Sequence, residues 1–260
     1  MYNYEEFEAE TDFPKVDRTK KKRKKKNYLL RFLITVLVIG GTIAFSFSDF
    51  FLIENVTVDG NHYYSDEEVM RMAGADKGVH LLWEVDKSEY EEALLESPYF
   101  VEVKAKRKLP KTLHFDVVER SQIAAVVYGE DYIVIDKEGT ILRKTDVDPK
   151  LTLLTGLTVS KLTTGSRLEA EEEVILETTL KMLDTMEDGD IFFKKIDVSK
   201  VIIKAYIYDT LIVKGTPKQM TKAIESGDLQ KVVNNLLKND TTRGTISLGN
   251  QNYMSFSPVF

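Results

Sequence analysis

Cysteine is absent from all 260 residues, which excludes disulfide frameworks, thiol nucleophiles and thiolate metal sites. Histidine is scarce, three in all: His62 beside a turn, His80 between two helices and His114 on the polar face of a strand. None has a second histidine three or four positions away, as zincin-type sites require, so no metal site is expected. Glycine-rich phosphate loops and strained nucleophile turns are missing too. Positive charge is thin over most of the chain: residues 1–31 hold 10 of the 36 basic and 6 of the 42 acidic residues, leaving this tail near +4 and the remainder near −10. An acidic surface repels phosphate backbones and anionic headgroups, so the larger part should bind no nucleic acid and should take proteins as partners. No cofactor, small-molecule substrate or enzymatic activity is expected. Glu169, Glu171, Glu172 and Glu173 read as solvated acids at a helix start, favoured by the helix dipole, and not as an acid/base pair.

What the sequence does have is one long apolar run. Sixteen uncharged residues, Phe32 to Phe47, follow a block of seven consecutive cations: Lys20, Lys21, Lys22, Arg23, Lys24, Lys25 and Lys26. Tyr28–Leu30 and Phe50–Ile53 extend the run toward the roughly 20 residues that cross a bilayer core, and Arg31 is close enough to the basic end to reach the headgroups. Residues 28–48 read as one transmembrane helix contacting membrane lipid. The basic block then keeps residues 1–27 in the cytoplasm, as a disordered tail, and places everything after Asp49 outside. A cleaved signal peptide is the competing reading, with Ala44-Phe45-Ser46 as a loose cleavage pattern, but the run is longer than a signal core and its leader is long and half acidic. A buried core helix would need a polar face, which Phe32 to Thr42 lacks.

Beyond the membrane the periodicity predicts an α+β unit. Phe51 to Val58 alternates as a strand, and Asp59-Gly60-Asn61 supplies a turn. Ser65 and Glu68 have the capping-box spacing that opens a short helix ending near Gly74. Asp86 to Glu96 forms a second helix with Tyr90, Ala93 and Leu94 on one face. Val101, Val103 and Ala105 alternate with Glu102, Lys104 and Lys106; after Leu109-Pro110-Lys111, Leu113, Phe115 and Val117 alternate with His114, Asp116 and Val118. The order is β-α-α-β-β. The strand and turn Val56 to Asn61, the helix opened by Ser65 to Glu68, and the run from Arg107 to Arg120 with its Leu109-Pro110, Thr112-Leu113 and Glu119-Arg120 pairs resemble a POTRA domain of the DivIB/FtsQ cell-division family. Gln122 stands where that family often has proline. The resemblance continues through the Asp136-Lys137-Glu138-Gly139 turn and Thr155-Gly156 to about Pro258. It implies a cytoplasmic tail (1–27), an anchor (28–48), a POTRA-like domain (49–120) and a distal β-rich mixed domain (121–260) with two helices. The first of these helices spans Glu169 to Met186, with a stripe of Ile175, Leu176, Thr179, Leu183 and Met186. The second opens at Thr216-Pro217 and runs to about Lys238, with Gly227 as its candidate break.

Function is sought at the sheet edges, where unpaired backbone groups invite another strand. The last hairpin, Ile246, Ser247 and Leu248 followed by Tyr253, Met254, Ser255 and Phe256, carries no charge in an acidic region and is the candidate partner-binding edge. Tyr253 and Phe256 suit an interface and suit the domain's own core equally well. The strand bearing Glu102 and Lys104 is a secondary edge, protected by those charges. The resemblance implies FtsL-type and FtsB/DivIC-type bitopic division proteins as partners, docked at the C-terminal edge, in a non-enzymatic scaffold of the cell membrane and division septum. The alternative is a POTRA-bearing secretion or chaperone component that handles exported polypeptides, although neither repeated POTRA units nor a barrel's run of strands is present.

Overall fold

A computed structural model describes residues 27–186, 191–249 and 253–259; the Lys20–Lys26 block lies outside them. Helix α1 (Tyr28–Ser46) has 19 residues, a mean hydropathy of 2.1 and no buried residue. At 1.5 Å per residue it is about 28 Å long, close to the roughly 30 Å of a bilayer's hydrocarbon core. The hydroxyls of Thr35 and Thr42 donate to the carbonyls of Arg31 and Val38, both at 2.9 Å, so neither polar group is left over along the helix. This exposed apolar helix is consistent with a single-pass membrane anchor, and the core-helix reading fails.

The chain resumes with a 3-10 turn (Asp49–Phe51), β1 (Asn55–Asp59), α2 (Asp66–Ala73), α3 (Lys87–Leu95), β2 (Phe100–Lys108) and β3 (Thr112–Glu119). These form a three-stranded sheet in the order β1-β3-β2, with β1 parallel and β2 antiparallel to β3. Local chemistry sets the elements. Ser65 and Glu68 make a reciprocal capping box at α2, Gly74 ends that helix in the left-handed region, and Asp86 caps α3. Gly60 (φ 91°) can only be glycine, because a Cβ there would lie 2.0 Å from the Val117 carbonyl oxygen. Leu113, Phe115 and Val117 face inward against Val69, Leu94, Val103 and Ala105, with Tyr90 edge-on to Phe115.

Three expectations are corrected here. The strand expected from Phe51 begins at Asn55, because residues 51–53 bond instead to the 78–81 segment. A bulge between Phe100 and Glu102 turns Phe100 inward and leaves Val101 50% exposed. His114, expected on the wet face, is 2% exposed, enclosed by Thr57, Asp59 and Asp116 from its own strand and the neighbouring β1.

The remainder is a nine-stranded mixed sheet. Its elements are β4 (Ala124–Tyr128), β5 (Asp131–Ile135), β6 (Ile141–Thr145), β7 (Thr152–Thr155), a side ribbon of β8 (Val159–Lys161) and β9 (Glu169–Ala170), α4 (Glu173–Asp184), β10 (Lys195–Asp197), β11 (Ile203–Tyr206), β12 (Leu211–Gly215), α5 (Pro217–Glu225), α6 (Asp228–Lys238), β13 (Gly244–Leu248) and β14 (Met254–Pro258). The order across the sheet is β14-β13-β12-β11-β10-β7-β4-β5-β6. Helices α4, α5 and α6 close the main core, led by Phe193, Leu154, Ile196, Val213, Met220 and Ile246. The expected final helix is two, because Gly227 adopts the left-handed region (φ 68°) and turns the chain between α5 and α6. The helix expected from Glu169 starts at Glu173: Glu169 pairs in the ribbon, and the Glu172 carboxylate accepts the Thr158 N–H (2.7 Å) and hydroxyl (3.0 Å). Leu180 and Met182 join the buried stripe, while Ile175 packs at its margin.

The two sheets meet through a tyrosine cluster and an ion pair. Tyr99, 2% exposed, packs on Ala125, Val134 and Leu142 of β4, β5 and β6. Tyr63 stacks on Tyr99 with centroids 4.4 Å apart, and Tyr64 meets it edge-on at 5.3 Å. Burial first, then the neighbouring Tyr63, pushes the Tyr99 hydroxyl's pKa upward. Adjacent residues Glu119 and Arg120 point to opposite sheets. Glu119 accepts the backbone N–H groups of His62 and Tyr63, both at 2.6 Å, fixing the turn before α2. Arg120 donates to Asp136 (2.7 Å) and Glu138 (3.1 Å) in the β5–β6 turn. Burial alone would lower the guanidinium's pKa; the bonds to Asp136 and Glu138 outweigh it and raise it.

Candidate protein-interaction edge

β14 forms one border of the nine-stranded sheet, held antiparallel to β13 with Ile246 opposite Phe256, Ser247 opposite Ser255 and Leu248 opposite Met254. The Gly249 N–H donates to the Tyr253 carbonyl at 2.7 Å. Bonded and non-bonded pairs alternate in an antiparallel ladder, so Tyr253, Ser255 and Ser257 turn their backbone groups toward β13. Those of Met254 and Phe256 face the open side. Pro258 fits the same alternation, since its missing N–H falls on the open side, where proline is tolerated.

The side chains divide by the same parity. Ile246 is fully buried in the main core, so its side chain seats β13 and is closed to a partner. Leu248, Met254 and Phe256 are half-buried against that core, while Tyr253 is 67% exposed. Ser247 and Ser255 lie opposite one another, both half-buried. The sequence left Tyr253 and Phe256 open between core and interface. In the structure Phe256 leans on the core and Tyr253 stands in solvent. Gly244 (φ 145°) makes room for the Phe256 ring: a Cβ at that position would sit 2.5 Å from it. Gly244→Ala is therefore expected to destabilise the protein by about 1–3 kcal/mol through overpacking, with the loss of amide exchange protection concentrated in β14.

Parts of two other edges are covered. On β2, which carries Glu102 and Lys104 as an ion pair, the outward N–H of Ala105 is taken by the Glu91 carboxylate of α3 at 2.7 Å, and the Phe100/Glu102 bulge interrupts the strand. At the far border of the large sheet, Ile141 of β6 donates its N–H to Ser166 (2.9 Å) and accepts that of Gly165 (2.8 Å). Glu91 gave no sign of this in the sequence, because its partner is a backbone group 14 residues away.

A second cluster was also missed. Asp59, His114 and Asp116 bring ligating atoms within 4.8 Å of one another. The His114 Nε2 lies 3.0 Å from Asp116 and 3.5 Å from Asp59, and Thr57 Oγ1 holds Nδ1 at 2.8 Å. These residues form a donor set suited to a cation, but the Lys106 ammonium already pairs with Asp116. That ammonium first, then His114, holds the Asp116 carboxyl below its ordinary range. The constellation was invisible to i+3/i+4 spacing because it is assembled across strands, with Thr57 and Asp59 of β1 opposite His114 and Asp116 of β3.

Comparison with known proteins agrees with this architecture. Residues 51–120 match the family of FtsQ-type POTRA domains. The chain is 29% identical over 235 residues to the cell division protein DivIB of Clostridium botulinum strain Hall, covering 88% of this chain and 87% of that one. It is 26% identical over 174 residues to DivIB of Clostridium acetobutylicum, covering 65% and 68%. Against FtsQ of Myxococcus fulvus it is 33% identical over 111 residues, covering 41% and 38%. An FtsQ-type POTRA domain at residues 51–120, with DivIB and FtsQ relatives that together span most of the chain, supports kinship with the DivIB/FtsQ proteins and a role in cell division.

Proposed function

We propose that the chain is a non-catalytic scaffold of the bacterial division machinery that captures bitopic division proteins of the FtsL and FtsB/DivIC types outside the membrane. Capture is by strand addition to β14, and it holds those partners in register with septal wall synthesis. The observation that carries this reading is the open border of β14, uncharged and unpaired on one side among the described residues, where β2 is bulged and capped by Glu91 and β6 is overlaid at Ile141. In this reading α1 is a single-pass anchor, with residues 1–27 in the cytoplasm and the folded region outside. Confinement to the membrane surface raises its effective concentration for other bitopic proteins, and the protein gathers at the septum with them.

The test is a photoreactive residue at Tyr253 in cells, compared with one at Glu102. Tyr253 should crosslink to a small bitopic coiled-coil protein, and Glu102 should not. Crosslinks confined to Glu102, or to exported precursor proteins from Tyr253, would refute the assignment of the edge.

A further inference from the structure

The end of the three-stranded sheet at which the chain enters combines exposed apolar side chains with cations. Three large apolar side chains lie on its surface: Phe50 at 47%, Trp83 at 57% and Leu109 at 59% exposure. They come from three segments fastened together. Leu81 donates to the Phe51 carbonyl (2.8 Å), and Ile53 exchanges bonds with Val79 and Gly78 (2.9 Å each), locking the loop of Trp83 to the segment of Phe50. Glu54 and Asn55 both donate to the Lys111 carbonyl, at 3.0 and 3.2 Å, which ties in the turn carrying Leu109. Arg107 donates to the Val85 carbonyl at 2.6 Å and closes the ring of contacts. The cations Arg107, Lys108 and Lys111 belong to the same end, whereas the region outside the tail is near −10 overall. Three acids of these segments are engaged internally: Glu54 with Lys111, Glu84 with the His80 N–H, Asp86 with the Ser88 N–H.

Chain length says what covers this surface. Helix α1 ends at Ser46 and Phe50 follows four residues later, a reach of at most about 14 Å even fully extended. We infer that this end of the sheet is a membrane-contact surface: Phe50, Trp83 and Leu109 enter the headgroup and upper acyl layer of the leaflet from which the chain emerges, while Arg107 and Lys108 meet lipid phosphates and Lys111 neutralises Glu54. Indole and phenyl rings favour that layer, and lysine and arginine stems lie along apolar surface while their heads stay wet. The inference rests on the reading of α1 as an anchor. Its effect is to hold the sheet at a fixed tilt on the bilayer, where a single peptide tether would let it swing.

Trp83 is the protein's only tryptophan, so intrinsic fluorescence reports this surface alone. The full chain is reconstituted into anionic phosphatidylglycerol-containing vesicles made with plain lipid, with lipid brominated near the headgroup end of its chains, or with lipid brominated near the chain termini. Flotation with the vesicles tests the anchor separately. The expected result is co-flotation, with about a twofold loss of emission in the shallow-brominated vesicles and less in the deep ones, as for an interfacial indole. Co-flotation with equal emission in all three would overturn the contact surface and leave the anchor standing. A blue-shifted emission that follows protein concentration and ignores bromine would overturn it in favour of a second copy of the chain. Failure to float would overturn both.

Discussion

Met254→Pro should weaken partner binding by one to two orders of magnitude while the protein folds and melts almost as before. The Met254 N–H faces the open side of β14, so proline there costs the sheet no ladder bond. An incoming strand loses that donor, leaves its own carbonyl unsatisfied and meets the pyrrolidine ring. A buried acceptor left without its donor costs about 1–3 kcal/mol, hence roughly a 10–100-fold loss of affinity. The matched variant is Ser255→Pro, whose N–H points to β13. It should loosen β14 itself, lowering stability along with binding. Titration of each variant against the purified bitopic partner, with thermal unfolding alongside, separates the two. Equal binding by wild type and Met254→Pro would show that the partner does not add a strand here. Tyr253→Asp is a gentler probe of the same edge, since Tyr253 is exposed, whereas Phe256→Asp would disturb the ring's seat on the core.

Tyr99→Ala should cost about 3–5 kcal/mol, the range for truncating a buried aromatic, and the loss should fall on the joint between the two sheets. Tyr99 is the buried centre of that joint, packed on β4, β5 and β6 and stacked on Tyr63. Its removal leaves the Arg120–Asp136 pair as the main remaining tie, and unfolding, expected to be one transition in the wild type, should separate into two. Tyr99→Phe, which keeps the ring, should stay within about 1 kcal/mol of wild type. Binding at β14 should be unchanged in either variant. β14 is six strand spacings from β4, about 29 Å. Differential scanning calorimetry with a binding measurement decides the matter: one sharp transition in Tyr99→Ala would mean that the sheets are coupled by contacts other than Tyr99.

Most of the first sheet was legible because its signals are local. Ser65 and Glu68 cap a helix three residues apart, and Leu113, Phe115 and Val117 alternate as a half-buried strand must. The errors came where contacts between distant segments overrode local pattern. Val101 alternates correctly with Val103, yet Phe100 is larger and a bulge gives it the inside position. His114 sits at a polar position of its strand, but Thr57 and Asp59, more than fifty residues earlier, close over it. For the candidate edge, lack of charge was visible in the sequence. Parity was not: the difference between Ile246 in the core and Tyr253 in solvent follows from the register against β12 and β13. Glu119 and Arg120 stood out as a motif pair, but only the fold explains why they are adjacent.

The parallel pairing of β1 with β3 bears on how the molecule answers a pull. The chain arrives from α1 at Asn55 and leaves for the large sheet at Glu119, and the five registered pairs from Asn55–Thr112 to Asp59–Asp116 lie between those points. Traction between the anchor and whatever is held at β14 would draw the two strands lengthwise in opposite directions. All five pairs then share the load at once and must yield together, whereas an antiparallel pair pulled from one end parts like a zip. The same two strands in the other orientation would make a far weaker tow-line.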